Sequence, residues 1–105
     1  IHGLIKSGKP HIDAELTKQI RDITGIPLVL HGGSGLRDED FTNAIKAGVQ
    51  IVHINSEIRL ALREAIEKSL KEMPEEINPS KILQPAVDAI EKVVEDRLKL
   101  FNMMQ

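Results

Sequence analysis

Cysteine is absent from the 105 residues, as are tryptophan and tyrosine, and only two phenylalanines are present. Without cysteine there are no disulfides and no thiolate-ligated metal, so a reducing cytoplasm is the expected compartment and histidine or carboxylate must serve any metal. With so few aromatics, burial has to rest on Ile, Leu, Val and Ala. No apolar run approaches the ~20 residues of a membrane span, and no charged-then-apolar leader is visible, so no membrane partner is expected. Charge of one sign is also lacking: 14 basic against 16 acidic side chains give a net charge of -2. Such a weak field does not suggest nucleic acid as a partner, and any anion must be held by local groups. What is present, 41% hydrophobic and 29% charged residues, is the composition of one globular domain. The chain begins at Ile1 rather than Met, which reads as a piece of a longer parent.

Glycine and proline divide the sequence into alternating element types. From Asp13 to Thr24, Leu16, Ile20 and Ile23 fall at helical spacing behind an Asp suited to N-capping, and Gly25 ends the pattern. Ile26 to Leu30 is a continuous apolar run of the kind found in parallel strands buried on both faces, with Pro27 tolerable only at its start. After a glycine-rich loop, Asp38 is the expected cap of a helix carrying Phe41, Ala44 and Ile45 to Gly48, and Val49 to Ile54 reads as a second buried strand. Ser56 is the expected cap of a third helix, in which Ile58, Leu62, Ile66 and Leu70 recur with Ala61 and Ala65 until Met73-Pro74. Ser80 to Phe101 carries a fourth helical pattern, with Pro85 in its first turns. The order predicts an α/β fold of consecutive βα units on a parallel sheet, whose ligands bind beyond the carboxyl ends of the strands. Two strands cannot protect both faces and both edges, and a closed eight-stranded barrel takes about 250 residues, so further barrel segments are expected.

Both strands deliver polar or glycine residues to that rim. In His31-Gly32-Gly33-Ser34-Gly35, glycines allow backbone N–H groups to converge on an anion and Ser34 adds a hydroxyl, while the following helix N-terminus contributes its dipole without calling on an adjacent Lys or Arg. Phosphate is the natural guest; the alternative is an ordinary tight turn whose glycines serve geometry alone. His31 follows His2 by 29 residues (31 − 2), about one βα unit, so the two can lie on adjacent strands ~5 Å apart and reach one Zn²⁺. Either histidine alone is more often structural than a ligand. Their joint placement beside the loop favours zinc. His11 sits in a polar loop and is assigned no function. His53 alternates with Val52 and Ile54 and should face opposite to them, inward as a substrate contact or outward as an awkward buried polar group. Asn55 and Ser56 precede the third helix, whose N-terminus can also meet a phosphate.

These residues resemble class II fructose-bisphosphate aldolases and their tagatose-bisphosphate relatives, and the match covers nearly the whole chain. Ile1-His2-Gly3-Leu4-Ile5-Lys6 is similar to the family's His-Gly-Val-Tyr-Lys stretch, and Gly25 to Gly35 is close to its most diagnostic segment. The resemblance implies the C-terminal part of a (β/α)₈ barrel, with residues 1–105 one partial domain: rim loops and strands over 1–55 and closing helices over 56–105. It implies zinc held by His2, His31 and a third histidine on an earlier strand, where the acid/base carboxylates also belong. A monovalent cation, sodium or potassium, is implied nearby. Gly3, Gly32, Gly33, Ser34, His53, Ile54, Asn55 and Ser56 are implied to contact the phosphate end of the substrate. The family's Asn at the reacting part of the ketose is replaced by His53, the catalytic candidate of this chain, which puts substrate preference or activity in question. The implied reaction is a glycolytic one, reversible cleavage of a ketose 1,6-bisphosphate, fructose 1,6-bisphosphate first among them, to dihydroxyacetone phosphate and glyceraldehyde 3-phosphate. The implied partners are a sugar bisphosphate and either a homo-oligomer, dimer or tetramer, or the missing barrel half. A non-catalytic phosphate-binding or assembly module from the same barrel is the alternative. The residues facing the aldehyde half are mostly outside the chain, so the sequence does not select between epimeric bisphosphates.

Overall fold

A computed structural model describes residues 8–103. The elements are α1 (Ala14–Thr24), β1 (Leu28–Leu30), α2 (Asp38–Lys46), β2 (Val49–Val52), α3 (Ser56–Glu72) and α4 (Pro79–Phe101). The chain is therefore α/β, and β1 and β2 form a two-stranded parallel sheet as the alternation of elements requires. It divides into two compact units, one of residues 1–54 with 99–105 and one of residues 55–98.

In the first unit, α1 begins where Asp13 Oδ1 accepts a hydrogen bond from the Leu16 N–H at 2.9 Å, and it stops at Gly25, whose N–H donates to the Arg21 carbonyl at 2.8 Å. No residue of α1 is buried, and its apolar face of Leu16, Ile20 and Ile23 is exposed. The core lies between the sheet and α2. Leu30 and Val49 from the strands meet Leu36, Phe41 and Ala44, and Ile12, Leu28, Val52, Ile54, Leu100 and Phe101 close around them. Phe41 is 0% exposed and its ring centroid lies 5.4 Å from that of Phe101, so the only two large aromatics of the chain share one cluster. Burying such a ring stabilises by about 1.5–3 kcal/mol, and the aromatic pair adds roughly 0.5–1.5 kcal/mol.

Two expectations for this unit are corrected. The strands are shorter than their apolar runs, and they are buried on one face only: Val29 is 49% exposed and Ile51 45%. The apolar run is long enough for two-sided burial, but within this chain helices cover one side of the sheet. The cap of α2 also differs. Arg37 occupies the N-cap position and Asp38 is the first helical residue. The Asp40 carboxylate, three residues on, accepts from the Arg37 N–H at 3.1 Å, so the helix start is closed from inside the first turn.

In the second unit, Asn55 rather than Ser56 is the N-cap of α3, with no side-chain capping bond, and Ser56 opens the helix. The buried stripe of α3 is centred elsewhere than the leucines suggest. Ser69 is buried, Ala61, Ala65 and Ile66 are half-buried, and Leu62 and Leu70 are exposed. In α4 the buried residue is likewise small, Ala86. Arg97 Nε and Glu57 Oε2, 2.8 Å apart, join α4 to the first turn of α3. Pro85 lies within α4 without ending it. No described helix is long and apolar enough to cross a membrane.

Candidate functional site

The position of each rim residue follows from how β1 and β2 pair. Leu28 is opposite Val49, but Val29 is opposite Ile51 and Leu30 opposite Val52, so Gln50 is an extra residue in β2. A bulge of this kind resets the side-chain alternation. Without it, Val49, Ile51 and His53 share one face of the sheet. With it, Val49 joins the core, Ile51 turns to the open face, Val52 and Ile54 return to the core, and His53 follows Ile51. On β1, Leu30 packs inward and His31, two residues after Val29, emerges on the same open face. The His53 N–H donates to the Leu30 carbonyl at 2.9 Å, which locks the two strand ends together. The imidazoles of His31 and His53 consequently stand side by side, ring centroids 5.9 Å apart and planes at 88°, both exposed. His53 thus faces opposite to Val52 and Ile54, on the exposed side of the sheet.

Beyond His31 the chain turns. The Leu36 N–H donates to the Gly33 carbonyl at 3.1 Å, and Gly35 has φ 82°, the left-handed third position of a type II turn. Gly32 also has a positive φ, 71°. Gly33 is needed for a different reason: a Cβ there would lie 2.7 and 2.8 Å from Cε1 and Cζ of Phe41. Each glycine thus has a local structural cause, as an ordinary tight turn requires, and Ser34 is half-exposed within it. Ile54 commits its side chain to the core, so only its backbone is free for a ligand. Asn55 and Ser56 begin the second unit. His2 and Gly3 lie outside the described residues.

The sequence reading missed the ionic group behind this turn. Arg37 forms a two-pronged contact with Asp40, Nε to Oδ2 and Nη2 to Oδ1 at 3.1 Å each, and its remaining nitrogen pairs with Glu39. Hydrogen bonding to Asp40 raises the Arg37 pKa above its ordinary value. The reciprocal bond from Arg37 holds the Asp40 carboxyl below the usual range, against the opposing effect of its burial; its backbone bond, the Arg37 charge and His11 lower it further. Asp40 is 4% exposed. A basic residue therefore does stand beside the loop, but its charge is answered by two carboxylates. Opposite charges three apart at a helix start are the signal that marks it in the sequence.

Imidazole nitrogen suits zinc, and two exposed rings on adjacent strand ends form a reasonable part of a zinc donor set. Among the described residues no group of three or more His, Cys, Asp or Glu side chains comes together, so this part of the chain provides two donors.

Comparison with known proteins agrees with this architecture. The chain is 38% identical over 102 residues to a fructose-bisphosphate aldolase of Geobacillus stearothermophilus, covering 97% of the chain and 35% of that protein. It is 34% identical over 109 residues to a fructose-bisphosphate aldolase of Ureaplasma parvum, covering 99% of the chain and 38% of the relative. Among solved structures, the YdjI aldolase from Escherichia coli K12 superposes with a TM-score of 0.74 at 29% identity, over 92% of this chain and 35% of that one. The fructose-bisphosphate aldolase of Campylobacter jejuni shares the fold with a TM-score of 0.74 at 20% identity, over 99% of this chain and 38% of that one. The chain thus spans a little over a third of the length of the relatives it matches. The family model described as fructose-bisphosphate aldolase class-II matches residues 1–105, and the chain belongs to that family.

Proposed function

We propose that this chain is the zinc- and phosphate-binding rim of a (β/α)₈ barrel enzyme that reversibly cleaves fructose 1,6-bisphosphate to dihydroxyacetone phosphate and glyceraldehyde 3-phosphate. The observation that supports the reading is the placement of His31 and His53 side by side at the carboxyl ends of two parallel strands, on the sheet face left open by the core, with the Gly32-Gly33-Ser34 turn directly following His31 in the chain. His31, with His2 and a third histidine from an earlier strand, holds the zinc. When bound, zinc would supply Lewis-acid polarisation of the ketone. The residues of the chain do the positioning. Backbone N–H groups of the turn and the Ser34 hydroxyl orient the phosphate, with Gly3 and the backbone of Ile54 beside them. His53 stands at the reacting end of the ketose, and Asn55 and Ser56 offer the N-terminus of α3 to the phosphate. A monovalent cation, sodium or potassium, accompanies the phosphate.

The 105 residues alone do not complete the reaction in this reading, since two imidazoles under-coordinate zinc and, among the described residues, no carboxylate joins the histidines in a cluster. A cytoplasmic, homo-oligomeric enzyme, or association with the rest of the barrel, goes with the same proposal. The test is aldol cleavage of fructose 1,6-bisphosphate by the full-length enzyme, assayed with zinc, with chelator, and as His31→Ala. Loss of turnover by at least about 100-fold in the variant and with chelator is expected, and undiminished turnover in either contradicts it. Sugar-phosphate binding that persists without zinc, in a protein that never cleaves, favours the non-catalytic module.

A further inference from the structure

The open face of the sheet carries two imidazoles, while the zinc reading uses only one of them. From the geometry we infer that His53 is a nitrogen donor to the same metal ion as His31, making the β1–β2 rim a two-histidine metal site. The inference rests on the zinc proposal and deepens it. Two imidazoles that share a zinc at 2.0–2.1 Å have ring centroids about 3.2 Å from the ion, hence about 5.2 Å apart at a tetrahedral angle and at most about 6.4 Å. The observed 5.9 Å lies inside that reach. Closing the difference takes small rotations of side chains that are both exposed and hold no hydrogen bond or ion pair to another described residue.

The surroundings favour a cation over a structural stacking role. The rings meet edge to face in solvent, outside the hydrophobic cluster, so their proximity brings little burial. It is imposed by the backbone: the Gln50 bulge turns His53 to the open face, and the bond from the His53 N–H to the Leu30 carbonyl sets it level with His31. A chain that needed only a hydrogen-bond donor here is served by a shorter amide. An imidazole adds the ability to ligate a borderline-soft metal.

Metal binding without substrate tests this. The full-length enzyme is titrated with zinc against a chromophoric chelator, and with cobalt(II) as a spectroscopic probe, in the parent and in His31→Ala, His53→Asn and His53→Gln, with circular dichroism confirming the fold of each. The expected result is zinc affinity lowered about 10-fold or more in both His53 variants, with altered intensity or position of the cobalt absorption bands. If His31→Ala loses zinc while both His53 variants keep parental affinity and spectrum, the inference is overturned and the zinc proposal stands with His53 a substrate contact. If no variant changes zinc affinity, both fall.

Discussion

Replacing Gly33 with alanine probes the rim through its support. The added Cβ lies 2.7–2.8 Å from two carbons of the Phe41 ring, against about 3.5–4.0 Å for an ordinary carbon contact, so ring or turn must shift by roughly 1 Å. Phe41 has nowhere easy to go, being 0% exposed and paired with Phe101. Gly33 is not among the glycines with positive φ, so the cost is one of packing and not of backbone strain. Overpacking of this kind costs about 1–3 kcal/mol. The clash involves the far end of the ring, which Phe41→Leu removes at a cost of roughly 1–2 kcal/mol. The double variant should therefore be about 1 kcal/mol more stable than the sum of its singles. Urea unfolding followed by far-UV circular dichroism measures all four proteins, because a chain without Trp or Tyr has no useful fluorescence. Additivity within about 0.5 kcal/mol refutes the steric account. If Gly33→Ala leaves stability unchanged and abolishes sugar-phosphate binding, the glycine serves approach of the ligand instead.

Two further outcomes follow from the helix starts. Asp40→Ala removes the acceptor of three Arg37 bonds and should destabilise by about 1–2 kcal/mol. Because the folded pKa of Asp40 is depressed, its contribution is present above the unfolded Asp value near about 3.9 and is lost as pH falls through the folded value, so the gap between variant and parent should narrow on acidification of an unfolding series. Asp13→Ala deletes the cap of a helix that buries nothing, and should raise amide hydrogen-exchange rates across α1 by several-fold, consistent with about 1 kcal/mol, while leaving exchange in β1 and β2 unchanged.

All four helices are legible as patterns, because 3.6-residue periodicity and the breaks at Gly25, Gly48 and Met73-Pro74 are local properties. Their caps are less so. A residue at N3 can close the first turn for any N-cap residue, which is how Arg37 takes a place expected for Asp38, and Asn55 displaces Ser56 with no side-chain bond at all. The buried line of α3 runs through Ala65 and Ser69, whereas hydrophobicity alone points to Leu62 and Leu70. For the strands, an apolar run reports what a face is made of and not what covers it, so Val29 and Ile51 read as buried. The orientation of His53 was readable from Val52 and Ile54 on either side of it, whereas the displacement of the ladder by Gln50 leaves no mark in hydropathy. Arg37 with Asp40 was readable as a charge pair but not as the brace of the turn.

The doubled residue at Gln50 has a consequence for how the segment tolerates change in length. Val49 anchors the start of β2 and Val52 with Ile54 anchor its end, and both anchors choose the same side of the sheet. The slack between them sits in one position whose side chain is exposed. A one-residue loss there restores a plain ladder and keeps His53 where it is, while the same loss two positions later swaps histidine for isoleucine at the rim. The strand behaves like a belt with its adjustment hole at one end, letting the hinge from α2 vary while the far end keeps its aim.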